Sequence, residues 1–229
     1  MKFIFPPATQ AAVPVAGSDA FFPVHRIYCV GQNYAAHAKE MGSSGRESPF
    51  FFTKPADAVV PVADGTIGQM PYPSATQDLH HEIELVVAIG TGGQHIAASE
   101  AGTHIFGYAI GLDMTRRDLQ AEAKKAGRPW SVAKGFDHSA PIGPIYRAEA
   151  VTLTGAIGLS VNGTVRQSGR LDHMIWNVAE TIAYLSTLFA LQAGDLIFTG
   201  TPEGVGAVVR GDLMVGTIDG LGQLQVVLV

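Results

Sequence analysis

The sequence contains almost no cysteine, no long apolar run and no block of charges of one sign. Cys29 is the single cysteine among 229 residues, so an internal disulfide is impossible, and a reducing compartment is the simpler expectation. No apolar run approaches the roughly 18 residues of a membrane span, and the short apolar stretch at the amino terminus is interrupted by Pro6 and Pro7, unlike a signal peptide. The formal net charge is −5 with dispersed charges, which is unlike the basic face of a nucleic-acid-binding protein. We therefore expect a cytoplasmic protein that binds neither membranes nor nucleic acids.

Two common site motifs are also missing. The Gly-rich turn at 90–93 is not followed by Gly-Lys-Ser/Thr, which argues against a phosphate-binding loop. His80 and His81 would suit zinc, but no second cluster lies at zinc-finger spacing. The better interpretation is that both histidines form hydrogen bonds next to a strand.

The composition favours a β-rich globular chain. Apolar residues make up 47% of the sequence, and 27 glycines indicate many tight turns. Apolar runs at 83–89 and 105–114 predict strands. The clearest helix is predicted at 177–191, where Asn177 and Glu180 form a capping-box pattern. Because helices are few and do not alternate with strands, we predict an α+β fold with a rolled or barrel-like β core.

Local signals predict three further elements. A short helix is predicted at 33–42, and another at 115–127, where Thr115 and Asp118 match a capping box. Asn162-Gly163 between two short apolar runs is a strong hairpin signal.

The segment DLHHEIELVVAIG, at 78–90, places two carboxylates at the start of an apolar strand. Glu82 and Glu84 point to the same face, because strand residues i and i+2 do so. A divalent cation such as Mg²⁺ or Mn²⁺ would compensate two buried carboxylates. The alternative is an edge strand with both glutamates in water. Asp113, at the end of another apolar strand, is a third candidate ligand, although it also fits a turn or capping residue.

Six segments together resemble the fumarylacetoacetate hydrolase superfamily. They occur in the family's order from about residue 25 to the end of the sequence: YCVGQNYAAHAKEMG, PFFFTKPADAVV, DLHHEIELVVAIG, GYAIGLDMTRRDLQ, AKGFDHSAPIGP and GDLIFTGTPEGVG. Within the superfamily, the sequence is most similar to the short bacterial acylpyruvate hydrolases and to the fumarylpyruvate hydrolases of gentisate breakdown.

The resemblance implies a fold, a metal and an assembly. It implies the β-rich roll of the family's C-terminal domain, with a catalytic domain at 25–229 preceded by an extension or edge segment at 1–24. It implies that Glu82, Glu84 and Asp113 bind one Mg²⁺ or Mn²⁺, and that the protein is a homodimer.

The resemblance also implies the active-site residues. His37 and Glu40 lie three apart on a predicted helix, so that they can share a face and activate a water molecule. Lys134 would stabilise negative charge that develops on the substrate. The substrate-binding residues implied by the resemblance are Arg117, Gln120 and Thr201. On the residues alone, an exposed pair without function is the favoured interpretation of His37 and Glu40. Surface positions without function are also plausible for the other active-site residues: Lys134, Arg117, Gln120 and Thr201.

The implied reaction is metal-dependent hydrolysis of a C–C bond in a 2,4-diketo acid. Fumarylpyruvate, which would give fumarate and pyruvate, is the leading candidate substrate. Alternatives are an oxaloacetate decarboxylase or keto-acid isomerase of the same superfamily, or a binding protein that keeps the fold without catalysis. Gln32 departs from the arginine of many relatives, which puts the recognition of the distal part of the substrate in doubt.

Overall fold

Strands account for most of the regular structure in this computed structural model, which describes residues 2–35, 47–153 and 155–229. The strands are β1 (Ala12–Pro14), β2 (Phe21–Pro23), β3 (Ile27–Gly31), β4 (Phe50–Lys54), β5 (Val59–Pro61), β6 (Ile67–Met70), β7 (Leu79–His81), β8 (Ile83–Ile89), β9 (Ile105–Leu112), β10 (Thr115–Arg116), β11 (Ala140–Ile142), β12 (Tyr146–Arg147), β13 (Ala156–Val161), β14 (Thr164–Arg170), β15 (Leu196–Phe198), β16 (Gly206–Val208), β17 (Leu213–Ile218) and β18 (Gly222–Leu228). The α-helices that lie wholly within the described residues are α1 (Arg117–Lys125), α2 (Ser131–Lys134) and α3 (Val178–Leu188). Short 3₁₀ helices occur at Ala56–Ala58, Ala101–His104, Ala148–Ala150 and Leu171–His173.

Two large sheets form the body of the fold. An eight-stranded mixed sheet has the order β4-β3-β15-β8-β9-β11-β5, with β12 also pairing with β9, and it curls into a half-barrel. A five-stranded sheet has the order β14-β13-β17-β18-β6. Smaller sheets join β7 to β10 and β16, and β1 to β2. The predicted α+β fold with a β-rich roll is confirmed.

The main core lies between the two large sheets. Leu85 of β8 and Ile110 of β9 belong to the same buried cluster as Leu159 of β13 and Val226 of β18. Every residue of β8 is buried, because β15 and β9 pair with it on both sides and apolar side chains cover it. The strand that carries Glu84 is therefore a central strand of the fold.

The amino-terminal segment packs into the same body. Val13 of β1 and Phe22 of β2 are buried together with Ile27 and Phe198 of the eight-stranded sheet. The division into an extension at 1–24 and a catalytic domain from residue 25 stays a prediction.

The capping signals had different outcomes. The side chain of Asn177 accepts a hydrogen bond from the Glu180 amide, and the Glu180 side chain accepts one from the Asn177 amide, so the predicted capping box is confirmed. The predicted capping role of Thr115 is wrong. Thr115 lies in β10, and its hydroxyl contacts Glu82 and the Asp113 carbonyl instead. The hydroxyl of Thr115 donates to the Glu82 carboxylate rather than capping a helix.

Other local predictions are tested only in part. Asn162 and Gly163 adopt φ values of 51° and 78° in the turn between β13 and β14, so the predicted hairpin is confirmed. Most of the helix predicted at 33–42 falls outside the described residues. No helix among the described residues is long and apolar enough to cross a membrane.

Candidate active site and metal centre

Three carboxylates meet where β8 and β9 lie side by side. Glu84 belongs to β8, Glu82 immediately precedes this strand, and Asp113 immediately follows β9. In the antiparallel register Glu84 lies opposite Gly111, and the Asp113 amide donates to the Glu82 carbonyl at 2.8 Å. The pairing therefore brings Asp113 next to two glutamates that lie 31 and 29 residues before it in the sequence.

The three carboxylates form a tight, buried cluster. One oxygen from each of Glu82, Glu84 and Asp113 lies within 4.8 Å of the others. The three residues are 5%, 1% and 1% exposed, so the alternative of an edge strand in water is wrong. Burial raises the pKa of the Glu84 carboxyl well above its ordinary range, and the neighbouring carboxylates of Asp113 and Glu82 raise it further. The protein thus holds three acidic groups where their charges repel one another.

Two lysines partly neutralise this cluster. The Lys134 ammonium lies 2.7 Å from Glu82 Oε2 and 2.7 Å from Asp113 Oδ2. Burial alone lowers the pKa of Lys134, but the two carboxylates outweigh burial and raise it above its ordinary value. Lys54 lies 2.7 Å from the other Asp113 oxygen, Oδ1. Lys134 thus bridges two of the three carboxylates as a fixed positive charge.

The donor set suits a divalent cation. Carboxylate oxygens are hard ligands of the kind that Mg²⁺ and Mn²⁺ prefer. Asp113 Oδ1 is buried and, despite the nearby Lys54, accepts no hydrogen bond with suitable geometry from the described residues. Three buried carboxylates that repel one another are what a divalent cation would neutralise. The residues present therefore fit a divalent metal ion.

Arg117 and Gln120 extend the cluster on the first turn of α1. The Arg117 guanidinium donates to Glu82 Oε1 at 2.5 Å and to Gln120 Oε1 at 2.5 Å. Its Nε also approaches His80 Nδ1 at 3.4 Å, while His80 Nε2 pairs with Asp78. Arg117 and Gln120, three residues apart on α1, therefore share one face of this helix. The expectation that His80 serves as a hydrogen-bonding neighbour is confirmed.

The Thr201 hydroxyl is already occupied by protein groups. It donates to the Ile83 carbonyl at 2.7 Å and accepts from Gln167 Nε2 at 2.8 Å. Gln167 Oε1 in turn accepts from His81 Nδ1 and from the Ile83 amide. A carbonyl oxygen only accepts, so Nδ1 carries the proton of His81. This buried network fixes the rotamer of Thr201 beside the carboxylate cluster.

The residues predicted from the sequence largely converge on one cleft. The cleft lies at the mouth of the carboxylate cluster. Its lining includes seven of the nine predicted site residues: Glu82, Glu84, Asp113, Arg117, Gln120, Lys134 and Thr201. The other two, His37 and Glu40, lie outside the described residues.

Sequence reasoning missed Lys54 and Gln167. Lys54 stands at the end of the run PFFFTKP, and a lysine inside an apolar strand is a recognisable signal, since lysines are rarely buried without a partner. Gln167 has no comparable signal, because it lies in a short polar stretch of the predicted hairpin. Its importance comes only from the contacts with His81 and Thr201.

Gln32 lies between this cleft and a second cavity. It lines both, and the second cavity is also lined by Phe50, Ile175 and Trp176. Its φ of 54° lies in the left-handed region, which costs a non-glycine residue some strain. The backbone therefore holds Gln32 where the two cavities meet.

The thiol of Cys29 is fully buried, and burial raises its pKa, which opposes a nucleophilic role.

Comparison with known proteins agrees with this geometry. The model of the fumarylacetoacetate (FAA) hydrolase C-terminal family matches residues 26–229. A crystal structure of fumarylpyruvate hydrolase from Pseudomonas aeruginosa in complex with Mn²⁺ and pyruvate is 56% identical, with a TM-score of 0.97, and the match covers 100% of this chain and 99% of that chain.

Two curated relatives differ in their stated activity. Fumarylpyruvate hydrolase from Ralstonia sp. is 46% identical over 180 residues, covering 78% of this chain and 92% of the relative. Oxaloacetate tautomerase YcgM from Escherichia coli (strain K12) is 42% identical over 202 residues, covering 87% and 90%. From the family match and the shared fold, the chain belongs to the fumarylacetoacetate hydrolase family.

Proposed function

We propose that this protein is a metal-dependent hydrolase that cleaves a C–C bond in a 2,4-diketo acid. Fumarylpyruvate, giving fumarate and pyruvate, is the proposed preferred substrate. The observation that carries the proposal is the buried cluster of Glu82, Glu84 and Asp113, which opens into the same cleft as Lys134 and Arg117. The similarity to a fumarylpyruvate hydrolase described with Mn²⁺ and pyruvate supports it.

The charge of the cleft suits a dianionic substrate. The three carboxylates of the cluster are balanced in number by three cationic side chains, Lys54, Lys134 and Arg117, which contact Glu82 and Asp113. A bound divalent cation leaves the cleft with an excess of two positive charges. Fumarylpyruvate carries two carboxylates, so it restores neutrality although the whole protein is acidic.

The side chains of the cleft have separable proposed roles. A bound Mg²⁺ or Mn²⁺ would be held by Glu82, Glu84 and Asp113, and it would supply Lewis-acid stabilisation for the enolate form of the departing pyruvate. Among the described residues, the Lys134 ammonium donates hydrogen bonds to Glu82 and Asp113. We assign its third N–H to a substrate oxygen. Arg117 and Gln120, paired on one face of α1, line the cleft beside the cluster and orient the keto-acid end of the substrate.

Thr201 contributes through its backbone amide rather than through its hydroxyl. Its hydroxyl proton is donated to the Ile83 carbonyl, and its oxygen accepts from Gln167. The backbone amide of Thr201 makes no hydrogen bond within the described part of the chain. We therefore assign the amide, rather than the hydroxyl, to the substrate carboxylate.

His37 and Glu40 are the proposed pair that activates water for attack on the acyl carbonyl. The proposal rests on their spacing of three residues and on the family resemblance. Replacing His37 with alanine should abolish hydrolysis and leave Mn²⁺ binding intact. His104 is a suitable control, because it is absent from the lining of the cleft and its Nδ1 contacts the Thr91 carbonyl. Full turnover by the His37→Ala protein would refute this assignment.

The second cavity is the proposed site for the distal end of the acyl group. Gln32 lines both cavities, and its carboxamide makes no hydrogen bond with other described residues. An amide N–H₂ group donates to a carboxylate such as that of fumarylpyruvate. Trp176 provides an apolar wall for the planar chain between the two ends of the substrate.

Tautomerisation or decarboxylation of oxaloacetate is the second candidate function. Several relatives that are 41–43% identical to this chain are named oxaloacetate tautomerases. Oxaloacetate is also a dianionic 2-keto acid, and both reactions proceed through an enolate. Neither reaction requires an activated water, so the requirement for His37 and Glu40 separates them from hydrolysis.

The functional test compares substrates and metals in one assay. Loss of the ultraviolet absorbance of fumarylpyruvate, of a simple acylpyruvate and of oxaloacetate is followed with Mg²⁺, with Mn²⁺ and with chelator. We expect fumarylpyruvate to be consumed fastest, with activity abolished by chelator. Rapid conversion of oxaloacetate with little cleavage of either acylpyruvate would favour the second function. Size-exclusion chromatography with light scattering tests the proposed homodimer.

A further inference from the structure

Lys54 is a buried lysine that lies next to the carboxylate cluster but outside the cleft. It is the last residue of β4, lies opposite Ile27 of β3 and is followed by Pro55. Its side chain is fully buried. Lys54 is absent from the lining of the cleft, whereas Lys134 belongs to it. Lys54 therefore cannot touch a substrate held there.

The contacts of Lys54 converge on three functional segments. Its ammonium lies 2.7 Å from Asp113 Oδ1 and donates to the Met114 carbonyl at 3.2 Å. It also donates to the Lys134 carbonyl in a short hydrogen bond. The Lys54 ammonium thus connects the Asp113 carboxylate, the Met114 backbone and the Lys134 backbone.

The Lys134 carbonyl is held from two sides. Lys134 is the last residue of α2, and a cation near the last carbonyls of a helix is favourable. The Ser139 hydroxyl donates to the same carbonyl at 3.1 Å. The backbone that positions the Lys134 ammonium between Glu82 and Asp113 is therefore fixed by Lys54 and Ser139.

We propose that Lys54 is a positioning residue, which sets Asp113 and Lys134 relative to each other for metal binding and turnover. The inference rests on the metal site of the proposed function but not on the identity of the substrate. Lys54 acts through its ion pair with Asp113 and its bond to the Lys134 backbone. A purely structural role would predict lost stability alone, whereas a positioning role predicts a changed metal environment in a protein that still folds.

The test uses Co²⁺ as a spectroscopic probe in the full chain. Wild type, Lys54→Met and a control, Asp195→Asn, are titrated with Co²⁺ while the visible absorption is recorded. Thermal midpoints are measured for each, together with kcat and KM on whichever keto acid the wild type converts. Asp195 is a matched control, because it is also fully buried and charged but pairs with His25 and Arg26 at the opposite end of β15 from Thr201.

The proposal predicts different behaviour for the two variants. Lys54→Met should show an altered Co²⁺ spectrum and a loss of about 10- to 100-fold in kcat, the usual effect of removing a partner of a metal ligand. Asp195→Asn should lose thermal stability but keep the wild-type spectrum and kcat. A wild-type spectrum and kcat in Lys54→Met would overturn the positioning role.

Two further outcomes are decisive. If Lys54→Met does not fold, Lys54→Arg keeps the charge but places it in a planar fork that does not match the three acceptors. A wild-type spectrum and kcat in Lys54→Arg would then overturn the proposal. Absence of Co²⁺ binding by the wild type would overturn the metal site itself, and the role of Lys54 with it.

Discussion

Replacing Glu84 with glutamine should stabilise the metal-free protein and abolish its stabilisation by metal. Glutamine keeps the shape of the side chain, and its carbonyl oxygen can still accept the Gly200 amide that donates to Glu84 at 2.7 Å. What changes is the charge, in a cluster whose three carboxylates each contribute an oxygen within 4.8 Å of the others.

The magnitude follows from the separation of the charges. Two like charges 4.8 Å apart repel by about 3 kcal/mol at an effective dielectric constant of about 20. Glu84→Gln removes the repulsion from Glu82 and from Asp113, and it also removes an attraction to Lys134. We therefore expect a net gain of about 1–3 kcal/mol, or roughly 2–4 °C in the midpoint per kcal/mol for a chain of this size.

Metal should stabilise the wild type but not the Glu84→Gln variant. A ligand at about 100 times its Kd stabilises a protein by about 2.7 kcal/mol, and the wild type should gain this from Mn²⁺ whereas the variant should not. The assay is calorimetric unfolding of both proteins with chelator and with Mn²⁺. Lower stability of Glu84→Gln in chelator, or equal stabilisation of both proteins by Mn²⁺, would refute the reasoning.

The pH dependence provides a second check on the same variant. The pKa of Glu84 is raised in the folded state, so the folded metal-free protein binds a proton more tightly than the unfolded chain does. Stability of the wild type should therefore fall as the pH rises above the ordinary value of 4.5 towards the raised pKa. The advantage of Glu84→Gln in chelator should grow over the same range.

Three other substitutions test separate parts of the account. Asp195→Asn should destabilise the fold by about 2 kcal/mol, because a buried charged acceptor loses strength, with kcat unchanged; urea unfolding and steady-state kinetics measure both. Gln167→Leu should lower the free energy of unfolding by about 1–3 kcal/mol, because His81 and other buried polar groups lose their hydrogen-bond partner. It should also raise KM, because the Thr201 side chain is no longer held in place. A thermal scan and a KM measurement check both effects, and an unchanged KM would count against the network. Gln32→Arg should raise the preference for fumarylpyruvate over an uncharged acylpyruvate by about 2- to 5-fold, the value of a partly exposed charge pair; equal kcat/KM ratios in both proteins would place the distal carboxylate elsewhere.

Local signals offer three carboxylates as candidate metal ligands, and the family resemblance selects them as the ligand set. Glu82 and Glu84 share a face by the two-residue period of a strand, and Asp113 ends an apolar run. Whether they are buried is a different matter, since it depends on β9 and β15 pairing with β8 on either side. An edge strand with the same residues would place both glutamates in water.

The contacts of Lys54 could not be predicted in this way. Its partners Met114 and Lys134 lie 60 and 80 residues further along the chain. They meet Lys54 only because α2 packs against β4 and β10. Thr115 illustrates the converse. Its local pattern predicts a helix cap, but its hydroxyl donates to the carboxylate of Glu82, 33 residues earlier in the chain.

The central claim is tested most directly by the fate of water during turnover of fumarylpyruvate. The reaction is run in H₂¹⁸O with Mn²⁺, and the products are analysed by mass spectrometry. Hydrolysis predicts fumarate with one ¹⁸O in the newly formed carboxylate, equimolar pyruvate, and no product when the metal is chelated. Unlabelled fumarate, or intact fumarylpyruvate under conditions in which oxaloacetate is converted, would contradict the proposed hydrolysis.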